Sequence, residues 1–141
     1  MALSVEGKMI VRMRNILRAN SAIVAVYDDR IYDSHVSTIY NPTWPAISMT
    51  LLNSAPVPYL VPAVDASFQV DLWHQERPGV KQDIYTQWNI VRGLLHLPQA
   101  GYDAASGLTL MEMREQESGA MMFETDTNLW HLAKRINVRG V

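Results

Sequence analysis

Phe68-Gln69-Val70-Asp71-Leu72-Trp73 alternates without interruption, placing Phe68, Val70 and Leu72 on one face and Gln69, Asp71 and Trp73 on the other. A period of two over six residues predicts a strand with one buried face. Upstream, Ile47, Met49 and Leu51 alternate with Ser48 and Thr50, predicting a Pro-initiated strand over 45–52. Between the two strands, Pro56, Pro58 and Pro62 keep 53–63 out of the middle of a sheet. Beyond two valines, its anchors are Tyr59 and Leu60, and a loop of this length usually has a task. Downstream, residues 75–79 break the pattern, and Ile84, Trp88, Val91 and Leu95 recur at spacings of four, three and four. That stripe predicts a helix over 80–97, ended by Pro98 and turned by Gly101.

The flanks extend this core. Val5, Met9, Met13, Ile16 and Leu17 predict a helix over 4–20, with Ser4 as N-cap, Glu6 in the first turn and Asn20-Ser21 as a stop. Residues 22–27 continue that helix or begin a second short one. Arg30-Ile31-Tyr32 reads as a short strand, and 35–45 as an ordered loop, because Asn41-Pro42 and Trp44-Pro45 disfavour helix. Residues 108–114 read as a strand with weak alternation, Ser118-Gly119 as a turn, and Met121-Met122-Phe123 as part of a loop between strands. Over 128–138, Trp130, Leu132, Ile136 and Val138 share one parity, which predicts a last strand that closes the sheet. The expected fold is α+β, with a mostly antiparallel sheet of four to five strands and two helices packed on one side.

At 141 residues the chain is expected to form one domain over 1–141, burying about two-thirds of its unfolded surface. The absence of cysteine excludes disulfide scaffolds, zinc ribbons, Fe–S clusters and thiol nucleophiles. No stretch approaches about 20 apolar residues, and no basic-then-apolar leader opens the sequence, so we expect a soluble protein without a membrane partner. The formal net charge of −2 is a cancellation: residues 1–18 sum to +3, 19–130 to −8 and 131–141 to +3. Basic ends flanking an acidic middle favour head-to-tail contact between copies of one chain.

Catalytic signatures are sparse. His74-Gln75-Glu76 has the His-x-Glu form of zinc deaminases, but their Pro-Cys-x-x-Cys partner is impossible here. His96 and His131 stand singly in amphipathic elements, and neither His-Glu-x-x-His, Gly-x-Ser-x-Gly nor a phosphate loop is present. The acidic groups Asp28, Asp29, Asp33 and Glu112, Glu115, Glu117, Glu124, Asp126 lack calcium-loop spacing. We therefore expect no catalytic, metal or cofactor site. A pI near 6.0 argues against sequence-specific nucleic-acid readout. Lys8, Arg12 and Arg18 on the first helix suit phosphates, water or an acidic neighbouring subunit. Eight Met and four Trp instead suggest self-assembly, since both types are enriched in interface cores. Three adjacent large apolar side chains at 121–123 cannot all point into one core if extended, so at least one needs cover from elsewhere.

Together, the first helix, Asp29-Arg30-Ile31-Tyr32, the 45–52 strand, Phe68-Gln69-Val70-Asp71-Leu72-Trp73, the 80–97 helix and Trp130-His131-Leu132-Ala133-Lys134-Arg135-Ile136-Asn137-Val138 form a pattern spanning nearly the whole chain. It resembles the tail-terminator or tail-completion proteins of long-tailed bacteriophages. The resemblance implies a non-enzymatic hexameric ring that caps the tail tube, ends its polymerisation and docks to the head-side connector. The implied partners are further copies of the chain, the tail tube protein, the head-tail connector protein, and viral DNA passing through the lumen without sequence readout. The implied location is the head-proximal end of the virion tail, assembled in the host cytoplasm. Candidate contacts between subunits, or with tube or connector, are Lys8, Arg12, Met121, Met122, Phe123, Glu117, Tyr59 and Arg135. The alternatives are a neck protein of the same assembly, or a small α+β enzyme or ligand-binding domain using His74, Glu76 and Asp71.

Overall fold

The last strand of the chain sits inside its sheet instead of closing it. A computed structural model describes residues 3–35, 42–58, 62–117 and 119–141. Its elements are α1 (Val5–Arg18), α2 (Ser21–Tyr27), β1 (Ile31–Tyr32), β2 (Ala46–Pro56), β3 (Val64–Gln75), α3 (Val80–Leu95), β4 (Gly101–Asp103), β5 (Leu108–Glu117), β6 (Met121–Glu124) and β7 (Leu129–Gly140). The sheet order is β1-β2-β3-β7-β5-β4, with β6 also paired to β7. Among the described residues only β1 and β2 pair in parallel. The fold is α+β and mostly antiparallel as expected, but the described residues hold seven strands and three helices, not four to five and two.

The extra helix comes from Asn20. Its side-chain oxygen accepts from the N–H groups of Ala22 and Ile23 at 3.0 and 3.1 Å, so it caps the start of α2 while α1 ends beside it. The first helix is capped in the same way by Ser4, which accepts from the Gly7 N–H at 3.1 Å. Met9, Met13 and Leu17 of α1, Ile23 and Tyr27 of α2, and Val80, Ile84, Trp88, Val91 and Leu95 of α3 are all buried. They pack on one sheet face made by Ile47, Met49, Phe68, Val70, Leu72, Leu132, Ile136 and Val138. Each such side chain taken fully from water contributes about 1.5–3 kcal/mol, which makes this layer the main source of stability.

The extra strands arise from long-range pairing. β5 and β6 are one interrupted strand lying antiparallel along β7, with Glu117 opposite Arg135 and then Met121 opposite Leu132. Hence Gly119 is no hairpin turn. It sits where the chain presses on β7: a Cβ there would fall 1.3 Å from the Ala133 carbonyl oxygen, so only glycine fits. The reversal into β7 comes later, at 125–128, where Asn128 takes a left-handed φ of 59°. β4 pairs with Leu108–Leu110 of β5, where the sequence suggested only a turn. β2 runs four residues past its expected end, with a bulge between Leu51 and Asn53. Pro56 ends it on an outer strand, where its missing N–H breaks no ladder hydrogen bond. Finally, α3 stops at Leu95 and not 97, because the Leu97 N–H donates to the Met113 carbonyl at 2.7 Å.

Candidate functional site

The helices cover one face of the sheet and leave the other bare of helix. Alternation along β3 and β7 sends Asp65, Ser67, Gln69, Asp71 and Trp73 to it from one strand, and His131, Ala133, Arg135, Asn137 and Arg139 from the next. Its lower half is a polar ladder. Ser67 donates to Asn137 at 3.2 Å, Asn137 donates to Asp65 at 2.9 Å, and Arg139 pairs with Asp65 at 3.0 Å. The upper half is aromatic. Trp73 lies with its ring centre 4.2 Å from His131, 5.6 Å from His35 and 6.1 Å from Trp44, and its indole N–H donates to Ser48 at 3.0 Å. A groove of about 190 Å³ opens beside it, lined by His35, Pro42, Trp44, Trp73, Glu124, Thr127 and Leu129.

The enzyme alternative required Asp71, His74 and Glu76 to converge, and they do not. Asp71 is buried on the helix-free face, where both carboxylate oxygens accept from the Gln69 amide at 3.1 Å. Burial pushes its carboxyl pKa up, opposed by Gln69 and by nearby His131 and His35. His74 points the other way, into the helix layer, with Nε2 hydrogen-bonded to the Tyr27 hydroxyl at 2.7 Å. Burial lowers its pKa to about 4, with Arg77 adding to the effect, so it is neutral at pH 7. The same burial pushes the Tyr27 phenol up. Glu76 is exposed and accepts from the Trp130 indole N–H. Among the described residues, no three His, Cys, Asp or Glu side chains group as a metal site. No described helix is long and apolar enough to cross a membrane.

The segregation of charge along the sequence is not a segregation in space. Three arginines of α1 pair at the surface with acids of the middle segment: Arg12 with Asp103 at 3.4 Å, Arg14 with Asp33 at 3.7 Å and Arg18 with Asp29 at 3.0 Å. At the other basic end, Lys134 is buried on the helix-covered face, 3.7 Å from Glu115 and over the Trp88 ring. These partners neutralise most of the two basic ends within the subunit itself.

The candidate contact residues therefore divide. The Lys8 stem lies against Gly107, and Arg12 is held by Asp103. Met121 is half-buried and packs against the main core. Met122 and Phe123 stay exposed, at 44% and 38%, though Phe123 leans on Trp130 with ring centres 4.9 Å apart. Arg135 is exposed on the helix-free face, and Glu117 lies opposite it in β5. Tyr59 is outside the described residues.

The whole fold has a counterpart. It is similar to a chain in the virion of a native gene transfer agent particle. The superposition gives a TM-score of 0.66 over 99% of this chain and 98% of the other, at 11% identity. At that identity the likeness is one of fold. No protein family matches the sequence, and no curated protein matches it. Sequence reading missed the Trp44–Trp73–His131 cluster, although Trp73 on the polar parity of its strand was the visible signal. It also missed β6, whose three apolar residues have no alternation to read.

Proposed function

We propose that this chain is a structural protein of a phage-like virion, forming a ring on the head-proximal end of the tail tube. In this reading the ring ends tube polymerisation, docks to the head-side connector and lets DNA pass without sequence readout. It needs no cofactor and no catalytic residue, and it assembles in the host cytoplasm. The observation that carries the reading is the end-to-end fold likeness to a virion chain, with almost nothing left over in either protein. Supporting it, four of the exposed large apolar side chains, Leu51, Leu52, Met122 and Phe123, lie at opposite margins of one sheet. Those margins suit a heterologous interface, in which two different surfaces meet and a rotation closes the ring. Met122, Phe123, Arg135 and Tyr59 are the contacts we assign to neighbouring copies or rings. Glu117 joins them through its place in β5. Lys8, Arg12 and Met121 have the weaker claim, since each already has a partner in its own subunit.

Co-expression with the cognate tube protein tests the reading. The expected result is a closed oligomer by native mass spectrometry, and tubes that stop growing when it is added. Monomer at every workable concentration, alone and with tube protein, would overturn it. An oligomer that binds the connector but leaves tube growth unchanged would move the protein to the neck of the same assembly.

A further inference from the structure

Among the described residues each margin of the sheet is covered at one end and uncovered at the other, and the uncovered ends are diagonally opposite. On one side β1 covers β2 only at Ile47 and Ser48, and among the described residues no strand pairs with the outer side of β2 beyond them. On the other side β5 is covered by β4, by the Leu97 N–H on the Met113 carbonyl, and by His96 Nδ1, which accepts from the Glu115 N–H at 3.1 Å. β6 beyond it has no outer partner among the described residues. Open strand edges are templates for pairing, and proteins commonly blunt them with charge. Here no charged residue occurs from Ala46 to Pro56, and leucines stand exposed at 51 and 52.

We infer that the outer edge of β2 in one copy pairs antiparallel with the outer edge of β6 in the next, continuing the sheet from subunit to subunit. Backbone geometry makes the two edges compatible. The Ile47 N–H reaches outward to the Arg30 carbonyl at 2.9 Å, and beyond the bulge the Val57 N–H points inward to the Ala63 carbonyl at 3.0 Å. Alternation then turns the N–H groups of Met49, Leu51 and Ser54 outward, and puts Pro56, which has none, at an outward position. On β6, the Ala133 N–H meets the Ala120 carbonyl at 3.3 Å, which turns Met121 and Phe123 outward. On both edges the outward residues carry their side chains to the helix-covered face, so a joined sheet keeps all helices on one side. The strand directions also alternate correctly, since β2, β3, β7 and β6 run up, down, up, down and the next β2 runs up.

The diagonal offset supports closure. Met122 lies at the level of Trp73 through His131, while the open part of β2 centres on Asn53, opposite Ser67. Six residues at about 3.3 Å give a stagger of roughly 20 Å per copy, across four strands spaced about 4.8 Å apart. The resulting strand tilt is about 45°, at the upper end of the roughly 35–45° range of closed barrels. A two-fold pairing of β2 with β2 would leave every β6 edge open, whereas the head-to-tail pairing covers both.

This inference deepens the ring reading and rests on it for closure. The cysteine-free chain allows a direct test by Asn53→Cys combined with Met122→Cys, with Ala55→Cys replacing Asn53→Cys to cover the adjacent register. Residues 53, 55 and 122 share the helix-free face and form non-hydrogen-bonded positions of the new pair, where side chains lie closest. Under oxidation the full-length double variant should give a ladder of covalent oligomers ending at one closed size, while each single variant gives none. Ser54→Pro, which removes an outward donor and no internal bond, should abolish the ladder while leaving the far-UV circular dichroism unchanged. A dimer from Asn53→Cys alone would overturn the head-to-tail pairing in favour of a two-fold. A closed ring by mass without cross-linking at either pair would overturn the edge pairing yet keep the ring. An unlimited ladder would support the pairing and remove the ring, and the absence of both assembly and cross-linking would overturn both.

Discussion

The two faces of β3 bury side chains to different ends. On the helix-covered face Phe68, Val70 and Leu72 meet three helices, and even the polar intruders are satisfied there: His74 by Tyr27, Lys134 by Glu115 and the Trp88 ring. On the helix-free face a polar ladder runs below an aromatic cluster, with Asp71 buried between them and accepting from the Gln69 amide. The first face is completed by the chain itself and carries its stability. The second face buries a smaller cluster around Trp73 and Leu129 and is bordered by strand edges that no described strand covers. Substitutions on the two sides should separate stability from assembly.

The largest effect is expected from Trp88→Ala on the completed face. Trp88 is nearly fully buried and supports the Lys134 ammonium. Truncation should cost about 3–5 kcal/mol, read as a lowered urea midpoint with an unchanged slope. A loss under about 1 kcal/mol would mean that α3 is not the principal cover of the sheet.

The two buried titratable groups of β3 should respond to pH with opposite signs. His74 has a folded pKa of about 4 against an ordinary 6.5, so the unfolded chain takes up its proton first on acidification. Its contribution is complete above pH 6.5 and is lost as pH falls towards 4, about 3 kcal/mol over the window. His74→Gln should flatten that part of the stability curve. Asp71 is raised, so the folded state holds its proton longer and stability falls as pH rises through the carboxylate range. Asp71→Asn should therefore stabilise the protein at neutral pH. Identical pH profiles for wild type and both variants would remove the distinction between the faces.

How much of this was legible beforehand follows the range of the interactions. The α3 stripe and the alternation of Phe68-Gln69-Val70-Asp71-Leu72-Trp73 are local, and both elements formed where the periods placed them. Asn20 was ambiguous because the same residue type ends one helix and caps the next. β4 and β6 were unreadable because three or four residues acquire strand character only from the partner they lie against, and the partner of β6 begins after a turn at 125–128. The open edges were hidden for the same reason. Which strand is outermost depends on β7, last in sequence, inserting between β3 and β5. Charge was misleading, since the three arginines of α1 pair with acids counted against them.

Gly119 links the two regions. It lets the chain pass from β5, which helps roof the core, to β6 on the open margin. Gly119→Ala would drive a methyl into the Ala133 carbonyl, and relief requires β6 to leave β7. A cost of about 1–3 kcal/mol is expected, concentrated in β6. Amide exchange should accelerate at 129–132, the part of β7 that β6 covers, and much less at 135–140 beside β5. Uniform acceleration would show that β5 and β6 hold as one strand in spite of the interruption.

The smallest effect on folding should come with the largest effect on assembly. Met122 is exposed on the helix-free side of β6, outside the main core, so Met122→Glu should change stability by no more than about 0.5 kcal/mol. A new carboxylate on that edge would have to be desolvated against the neighbouring copy with no base from 46 to 56 to receive it. Oligomers should therefore disappear from native mass spectra while the monomer melts as before. Phe123→Glu should behave alike in assembly but lose somewhat more stability, because Phe123 also stacks on Trp130. Should both variants assemble normally, β6 would be only a local extension of the completed core, and the contrast between the two faces would stop short of this margin.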